Sequence, residues 1–243
     1  MDLDQSSVSR SVMLVAHNEE SNIGRTLSQV VNIAQFWKGI TQICVVDNKS
    51  SDNTCKIVSE ISKNVLEVSL FCQETNLGYR RNVATAISLA KGERIFILDG
   101  DGQFDPFALI GIDLLLSEGF DLVLGFRKGR AGPRWRRILS VFFLICARKV
   151  IKFHLTDLNS GIRGISRRFA DLEPVKIGDS MVNAELYLRA RKSCFQVGEF
   201  PVAHSNRLAG SSIWSFRQPL KMWNSSVGYL LKVRREIGFK EKQ

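Results

Sequence analysis

Along the first half of the chain, short apolar runs alternate with longer stretches of helical period, and each run stops at a cluster of polar residues. Ser11–Ala16 reads as a strand, followed by the polar turn His17–Asn22 and a helix to about Trp37. Ile43–Val46 is a second strand, and after Asp47–Thr54 a helix begins near Cys55. Val65–Phe71 is a third strand, and Gln73–Gly78 leads into a helix over Tyr79–Lys91. Arg94–Leu98 is a fourth strand, Pro106 opens a helix to about Glu118, and Asp121–Gly125 is a fifth strand. Strand and helix in strict alternation predict an α/β fold with a mostly parallel central sheet flanked by helices. The second half reads as an apolar run over Ile138–Cys146 and a polar turn, Asp157–Gly164, running into a short strand over Gly161–Ser166. A helix over Met181–Arg191, a final strand over Gln196–Val202 and a last helical region over Trp214–Arg235 follow.

The candidate chemistry lies where the strands stop. Arg94–Leu98 ends at Asp99-Gly100-Asp101-Gly102-Gln103, two carboxylates at i and i+2 on the carboxyl edge where open α/β sheets bind ligands. Two close aspartates repel unless a cation sits between them, and hard oxygen ligands suit Mg²⁺ or Mn²⁺ completed by a substrate's phosphates. A plain turn also uses Asp and Gly. A calcium loop does not fit, because its sixth position would be Phe104 and its twelfth Ile110. Glu19 and Glu20 follow the first strand, where helix-start carboxylates are also at home. Asp47 ends the second strand, and Ser51, Asp52 or Asn53 is placed to cap the next helix. Arg80 and Arg81 open a helix, where two cations call for a nearby anion unless they are an exposed surface pair. Neither a G-x-G-x-x-G nor a Walker loop follows any of these strands, so a nucleotide must be held by side chains.

Composition is that of a globular domain: 243 residues, 44% hydrophobic and 24% charged, with net charge +10. The charge is uneven. Residues 1–125 carry 10 Lys/Arg against 16 Asp/Glu, a net of −6, and residues 126–243 carry 24 against 8, a net of +16. The basic half implies an anionic partner. Five scattered cysteines with no Cys-x-x-Cys pair read as reduced thiols, and the start of the chain lacks the basic and apolar segments of a secretory signal, so a cytoplasmic protein is expected. The run over Ile138–Cys146 is shorter than the roughly 20 residues that span a bilayer. With Arg134, Arg136 and Arg137 before it and Arg148, Lys149 and Lys152 after it, it reads either as a helix lying on an anionic membrane surface or as a core helix with solvated ends. The aromatic and basic residues of Trp214–Arg235 suit an interfacial helix or a docked terminal one.

As an ordered set, Ala16-His17-Asn18-Glu19-Glu20, Val46-Asp47-Asn48-Lys49-Ser50-Ser51-Asp52-Asn53-Thr54, Asn76-Leu77-Gly78 and Leu98-Asp99-Gly100-Asp101-Gly102-Gln103-Phe104-Asp105-Pro106 resemble family 2 glycosyltransferases of the GT-A fold. Asp157-Leu158-Asn159-Ser160-Gly161-Ile162-Arg163, Glu185, and Pro201-Val202 with Arg207–Ser212 resemble its polyprenyl-phosphate (dolichyl-phosphate) mannosyl- and glucosyltransferase branch. The resemblance implies a GT-A domain over residues 1–213, with a nucleotide-sugar half at about 11–125 and an acceptor half at about 126–213, and a basic aromatic extension over 214–243. It implies donor contacts from Ala16, Asn18, Glu19, Asp47, Asp52, Gly78, Asp99 and Gly100, with Asp99, Asp101 and Gln103 around the metal. Arg127, Arg130, Arg134, Ser160, Arg207 and Ser211 fall where the family handles acceptor phosphate and diphosphate, and Asp99, Asp101, Arg127 and Arg207 carry the chemistry. Lys49 stands where the family commonly has glycine. A processive synthase is not expected, since its Gln-x-x-Arg-Trp motif is missing. The implied reaction is inverting transfer of a hexose from a GDP-mannose- or UDP-glucose-type donor to a polyprenyl phosphate at an anionic membrane surface; transfer to a sugar or protein hydroxyl is the alternative. Nucleic-acid binding would explain the +16 half but not three acidic strand ends, and no nucleic-acid partner is expected.

Overall fold

The computed structural model describes residues 8–128, 141, 144–146, 148–152, 154–158, 160–172, 182–205, 228, 231–232 and 235. The first half runs β1 (Val8–Ala16), α1 (Ile23–Phe36), β2 (Ile40–Asp47), α2 (Thr54–Ser62), β3 (Val68–Cys72), α3 (Tyr79–Leu89), β4 (Arg94–Asp99), α4 (Ala108–Ser117) and β5 (Leu122–Lys128). The second half adds β6 (Ile162–Ser166), α5 (Arg167–Leu172), α6 (Val182–Lys192) and β7 (Val197–Ala203). They build one seven-stranded sheet in the order β3-β2-β1-β4-β6-β5-β7. β6 runs antiparallel to β4 and β5, and every other pairing is parallel. The expected mostly parallel sheet between helices is present.

Alternation along the strands divides the core in two. Met13, Val15, Cys44, Val46, Ile95 and Ile97 face one side, where Val83, Ala86 and Ile87 of α3, Phe169 of α5 and most of α6 cover them. Val12, Leu14, Ile43, Val45, Phe96 and Leu98 face the other, under Ile23, Leu27 and Val30 of α1, Val58 of α2 and Leu109 and Ile112 of α4. Both faces of the central strands are apolar, as buried parallel sheets require. At the opposite edge from the acidic strand ends, the Arg10 guanidinium donates to both oxygens of Asp113 and stacks 5.1 Å over the Trp37 ring, tying β1 to α4 and α1.

Several element boundaries differ from the sequence reading by a few residues, and one helix is added. β3 starts at Val68 because Val65 is still held by the preceding helix, its N–H donating to Ile61 O. α4 starts at Ala108 because Asp105 closes the turn around Pro106, accepting from Phe107 N at 3.0 Å. The helix Arg167–Leu172 is absent from the sequence pattern, being six residues long with Phe169 as its buried anchor. In the basic half, residues 144–146 and 148–151 are helical. Ile151 is buried and Leu144 and Val150 pack against the core, while Val141 and Ile145 remain exposed.

Candidate active site

The sheet order places β1 between β2 and β4, so the three acidic strand ends read from the sequence become neighbours on one edge. Ala16 is in register with Asp47 and Val15 with Asp99. The chain leaves β1 toward β2 on one side and reaches β4 on the other, which makes this edge the switch point where α/β sheets take ligands.

The loops after β1 and β2 lock together. Asn18 Oδ1 accepts from Ser51 N at 2.8 Å, Asn18 N donates to Ser50 Oγ at 2.8 Å, and Glu20 accepts from both Asn53 N and Asn53 Nδ2. Asp52 closes the knot, taking Thr54 N and Thr54 Oγ1 on one oxygen and Glu20 N on the other. Burial raises the Asp52 carboxyl, and these hydrogen bonds more than offset it, holding it below the usual carboxylate range. Glu20, read as a helix-start carboxylate, thus reaches across to the next loop; of the three capping candidates Asn53 holds the N-cap position without a side-chain cap bond, and Asp52, one residue before it, takes the N–H of Thr54. Asp47 is buried and takes Ser50 N and Ser50 Oγ. Glu19 is buried and accepts from Asn22 Nδ2. Lys49 sits at φ 62°, in the left-handed region that glycine favours. The departure from the family pattern therefore keeps the glycine-type loop shape, at a backbone cost of about 1 kcal/mol. Asn48 joins the third loop by donating to Asn76 Oδ1 and accepting Leu77 N, and Asn76 also meets His17 Nε2. Gly78 enters α3 at φ 79°.

Asp99 is gripped from two sides. Tyr79 Oη donates to its Oδ1 at 2.8 Å, and a Cβ placed on Gly161 would come within 1.9 Å of its Oδ2. Behind Tyr79, Arg163 Nη2 donates to Tyr79 Oη at 2.6 Å and to Ser160 O at 3.4 Å. Arg163 is 1% exposed. Tyr79 as a whole residue is 42% exposed, but its hydroxyl end points inward between the guanidinium and the carboxylate. Burial of that end pushes the phenol up, Arg163 offsets part of this, and Asp99 adds to it. Tyr79 is therefore a neutral phenol that passes the orientation of Arg163 on to Asp99. Asp101 is buried and accepts from Gln103 N at 3.0 Å. Gln103 in turn is bound to Ser205 through backbone and side chain, and Phe104 pairs with His204, so the end of β7 is fastened beside the Asp99 loop. Two carboxylates and an amide make an all-oxygen donor set, which fits a hard divalent cation.

In the basic half, Arg127 near the end of β5 holds Asp157 bidentately, at 2.6 and 2.8 Å. Ser160 lies buried under the site, its carbonyl accepting from Asn183 Nδ2. Glu185 pairs with Arg189 at i+4 as the spacing indicates, and also with Arg80 of α3 at 2.8 Å. The anion that Arg80 called for is thus a protein carboxylate, and the Arg80–Glu185 pair joins the acidic half to the basic half. Arg81 is exposed. Arg130, Arg134, Arg207 and Ser211 lie outside the described residues, as does most of the C-terminal extension.

Tyr79, Arg163 and Gly161 had no role assigned from sequence. A lone arginine inside the apolar strand Ile162-Arg163-Gly164-Ile165 was the available signal, since a buried charge needs a partner.

The sequence profile described as Glycosyl transferase family 2 matches residues 11–172. An uncharacterized protein of Methanocaldococcus jannaschii is 30% identical over 179 residues, covering 69% of this chain and 75% of the relative. The undecaprenyl-phosphate 4-deoxy-4-formamido-L-arabinose transferase of Proteus mirabilis is 23% identical over 210 residues, 85% of this chain, which spans only 63% of that relative's length. Among solved structures, the glucosyl-3-phosphoglycerate synthase of Mycobacterium tuberculosis, in complex with Mn²⁺, uridine-diphosphate-glucose and phosphoglyceric acid, superposes with a TM-score of 0.64 at 19% identity, over 98% of this chain and 82% of that one.

Proposed function

The chain belongs to glycosyl transferase family 2, and from that premise we propose that it moves a hexose, with inversion, from a nucleotide-diphospho-sugar to a polyprenyl phosphate at a membrane surface. The observation that carries the reading is the row of acidic strand ends, Asp47, Glu19 and Asp99 with Asp101, across β2, β1 and β4. Asp47 and Glu19 take the nucleoside end of the donor. Asp99, Asp101 and Gln103 would hold Mg²⁺ or Mn²⁺, which offsets the charge that develops on the leaving diphosphate. The bond from the sugar's anomeric carbon to the diphosphate breaks as a lipid-phosphate oxygen bonds to the opposite face, so no covalent enzyme intermediate is needed.

The acceptor assignment rests on which residues have proton chemistry to offer. A hydroxyl acceptor needs a general base, whereas a phosphate monoester, with a second pKa of about 6, is already anionic near neutral pH. Asp157 is held on both oxygens by Arg127, both Glu185 oxygens are engaged by arginines, and His204 is packed against Phe104. None of the three is placed as a base. Arginine grips phosphate bidentately and cannot deprotonate, so Arg127, Arg130, Arg134 and Arg207 suit an anionic acceptor, with Arg127 held in place by Asp157. The undecaprenyl-phosphate transferases among the relatives support the same acceptor class. Among the described residues no helix is long and apolar enough to cross a membrane. Val141, Ile145, Arg148 and Lys149, exposed at helical spacing beside a packed face, supply a peripheral contact.

The test is transfer from labelled GDP-mannose and UDP-glucose in the presence of membrane lipid extract and Mn²⁺. Label entering the organic phase is expected. Label found only on a soluble phosphorylated or hydroxyl acceptor would overturn the lipid-phosphate assignment.

A further inference from the structure

Beside Asp47, two cysteines from different elements meet. Cys72 ends β3, in register with Asp47, and Cys55 stands in the first turn of α2. Their sulfurs are 3.3 Å apart, and both sulfurs and an Asp47 oxygen lie within 4.8 Å of one another. We propose that Cys55 and Cys72 are a peroxide-sensitive thiol pair whose disulfide controls access of the nucleotide to the Asp47 end of the site. That consequence for the nucleotide rests on the donor site proposed above, while the disulfide itself does not.

The geometry favours a disulfide over a metal. Two thiolates on a tetrahedral Zn²⁺, each about 2.3 Å from it, sit about 3.8 Å apart, so the pair is already too close for a relaxed zinc edge. Asp47 is the only third ligand among the described residues, one short of the four that a structural zinc takes. Closing the sulfurs to the roughly 2.05 Å of a disulfide needs a movement of only about 1.2 Å.

The two thiols have different parts. Cys72 is exposed and meets the oxidant first; Cys55 is half-buried. Burial pushes the Cys55 thiol up, and its hydrogen bonds to Cys72 and Asp47 push it further, so it remains protonated until it resolves the oxidised partner. The Cys72 thiolate attacks a peroxide oxygen, the O–O bond breaks, and the departing hydroxide takes a proton to become water, leaving a sulfenic acid. Cys55 sulfur then attacks Cys72 sulfur while its proton passes through the Asp47 carboxylate to the hydroxide released from the S–O bond. Two thiols lose two electrons and two protons, and one peroxide becomes two waters.

The consequence follows from the interlocked loops. Closing the gap draws the first turn of α2 toward β3 and removes the thiol that touches Asp47. Asn18, Glu20, Ser50 and Asp52 are bound into the same knot, so the seat of the nucleoside shifts as a unit.

The full chain is treated with hydrogen peroxide, digested without reduction and mapped by mass, and binding of GDP and UDP with Mn²⁺ is measured before and after. A linkage of the Cys55 and Cys72 peptides is expected, two hydrogen atoms lighter than the thiols. Nucleotide affinity should weaken at least about tenfold, the loss expected for one hydrogen bond to a charged group. Dithiothreitol should restore it, and Cys72→Ser should bind nucleotide normally and resist peroxide. No linkage, or linkage with unchanged affinity, overturns the proposal, as does stoichiometric Zn²⁺ that protects both thiols from peroxide. If the reduced protein binds neither nucleotide, the donor reading fails and the switch with it, whereas binding that peroxide leaves unaltered defeats the switch alone.

Discussion

Replacing Tyr79 with phenylalanine removes one oxygen and keeps the ring, which isolates the link between Arg163 and Asp99. Two hydrogen bonds to charged partners are lost, at 2.8 Å to Asp99 and 2.6 Å from Arg163. Arg163, 1% exposed, keeps only the weaker contact to Ser160 O at 3.4 Å through the same nitrogen. Bonds to charged groups contribute about 1.5–3 kcal/mol each, but Asp99 is itself only half-buried, so water replaces part of its lost donor and the net cost is put at about 2–3 kcal/mol. For a chain of this size that is a drop of roughly 4–12 °C in Tm. The more specific effect is on Asp99, the proposed metal ligand, whose carboxylate loses its orienting donor; removing such a support behind a metal ligand costs roughly 10–100-fold in metal affinity or activity. Thermal melts and Mn²⁺ titrations of transfer, run in parallel, separate the two. A Tyr79→Phe protein with a lowered Tm but an unshifted Mn²⁺ midpoint and full turnover would refute the positioning argument and leave Tyr79 a packing residue.

Gly161→Ala forces a methyl group to within 1.9 Å of Asp99 Oδ2, so Asp99 must move by about an ångström or more; turnover should fall at least about 100-fold while circular dichroism stays native. Glu185→Gln breaks a buried two-arginine pair and should cost about 3–5 kcal/mol in a denaturant titration, whereas it and His204→Ala should lower turnover of the folded protein only modestly. Lys49→Gly relieves a left-handed backbone and should raise Tm by roughly 2–4 °C, with nucleotide affinity unchanged.

Much of the fold was legible because buried parallel strands and helices differ so sharply in period. The apolar runs ending at Ala16, Val46 and Leu98 are the centres of β1, β2 and β4, and the acidic residues behind them lie on one edge because those strands are parallel neighbours. What the sequence withheld was contact across long separations. Arg80 and Glu185 are 105 residues apart and Arg163 and Tyr79 are 84 apart, so nothing in local spacing pairs them. The same holds for Cys55 and Cys72, which sit on consecutive elements yet meet only because α2 packs its first turn over the end of β3. The antiparallel insertion of β6 between β4 and β5 was equally hidden, since it depends on how the chain returns to the sheet rather than on the pattern of Ile162–Ser166. Lys49 shows the opposite case, where the expected loop shape survived a residue that disfavours it.

The central claim is that the carboxyl ends of β1, β2 and β4 seat a metal-bound nucleotide diphosphate. Crystals of the reduced protein grown with Mn²⁺ and either GDP or UDP, with diffraction recorded near the Mn absorption edge, test it directly. The account predicts an anomalous peak against Asp99 and Asp101 that touches the diphosphate, with the nucleoside lying toward Asp47. A nucleotide bound away from this edge, or a peak at Asp47, Cys55 and Cys72 with Asp99 and Asp101 bare, would contradict it.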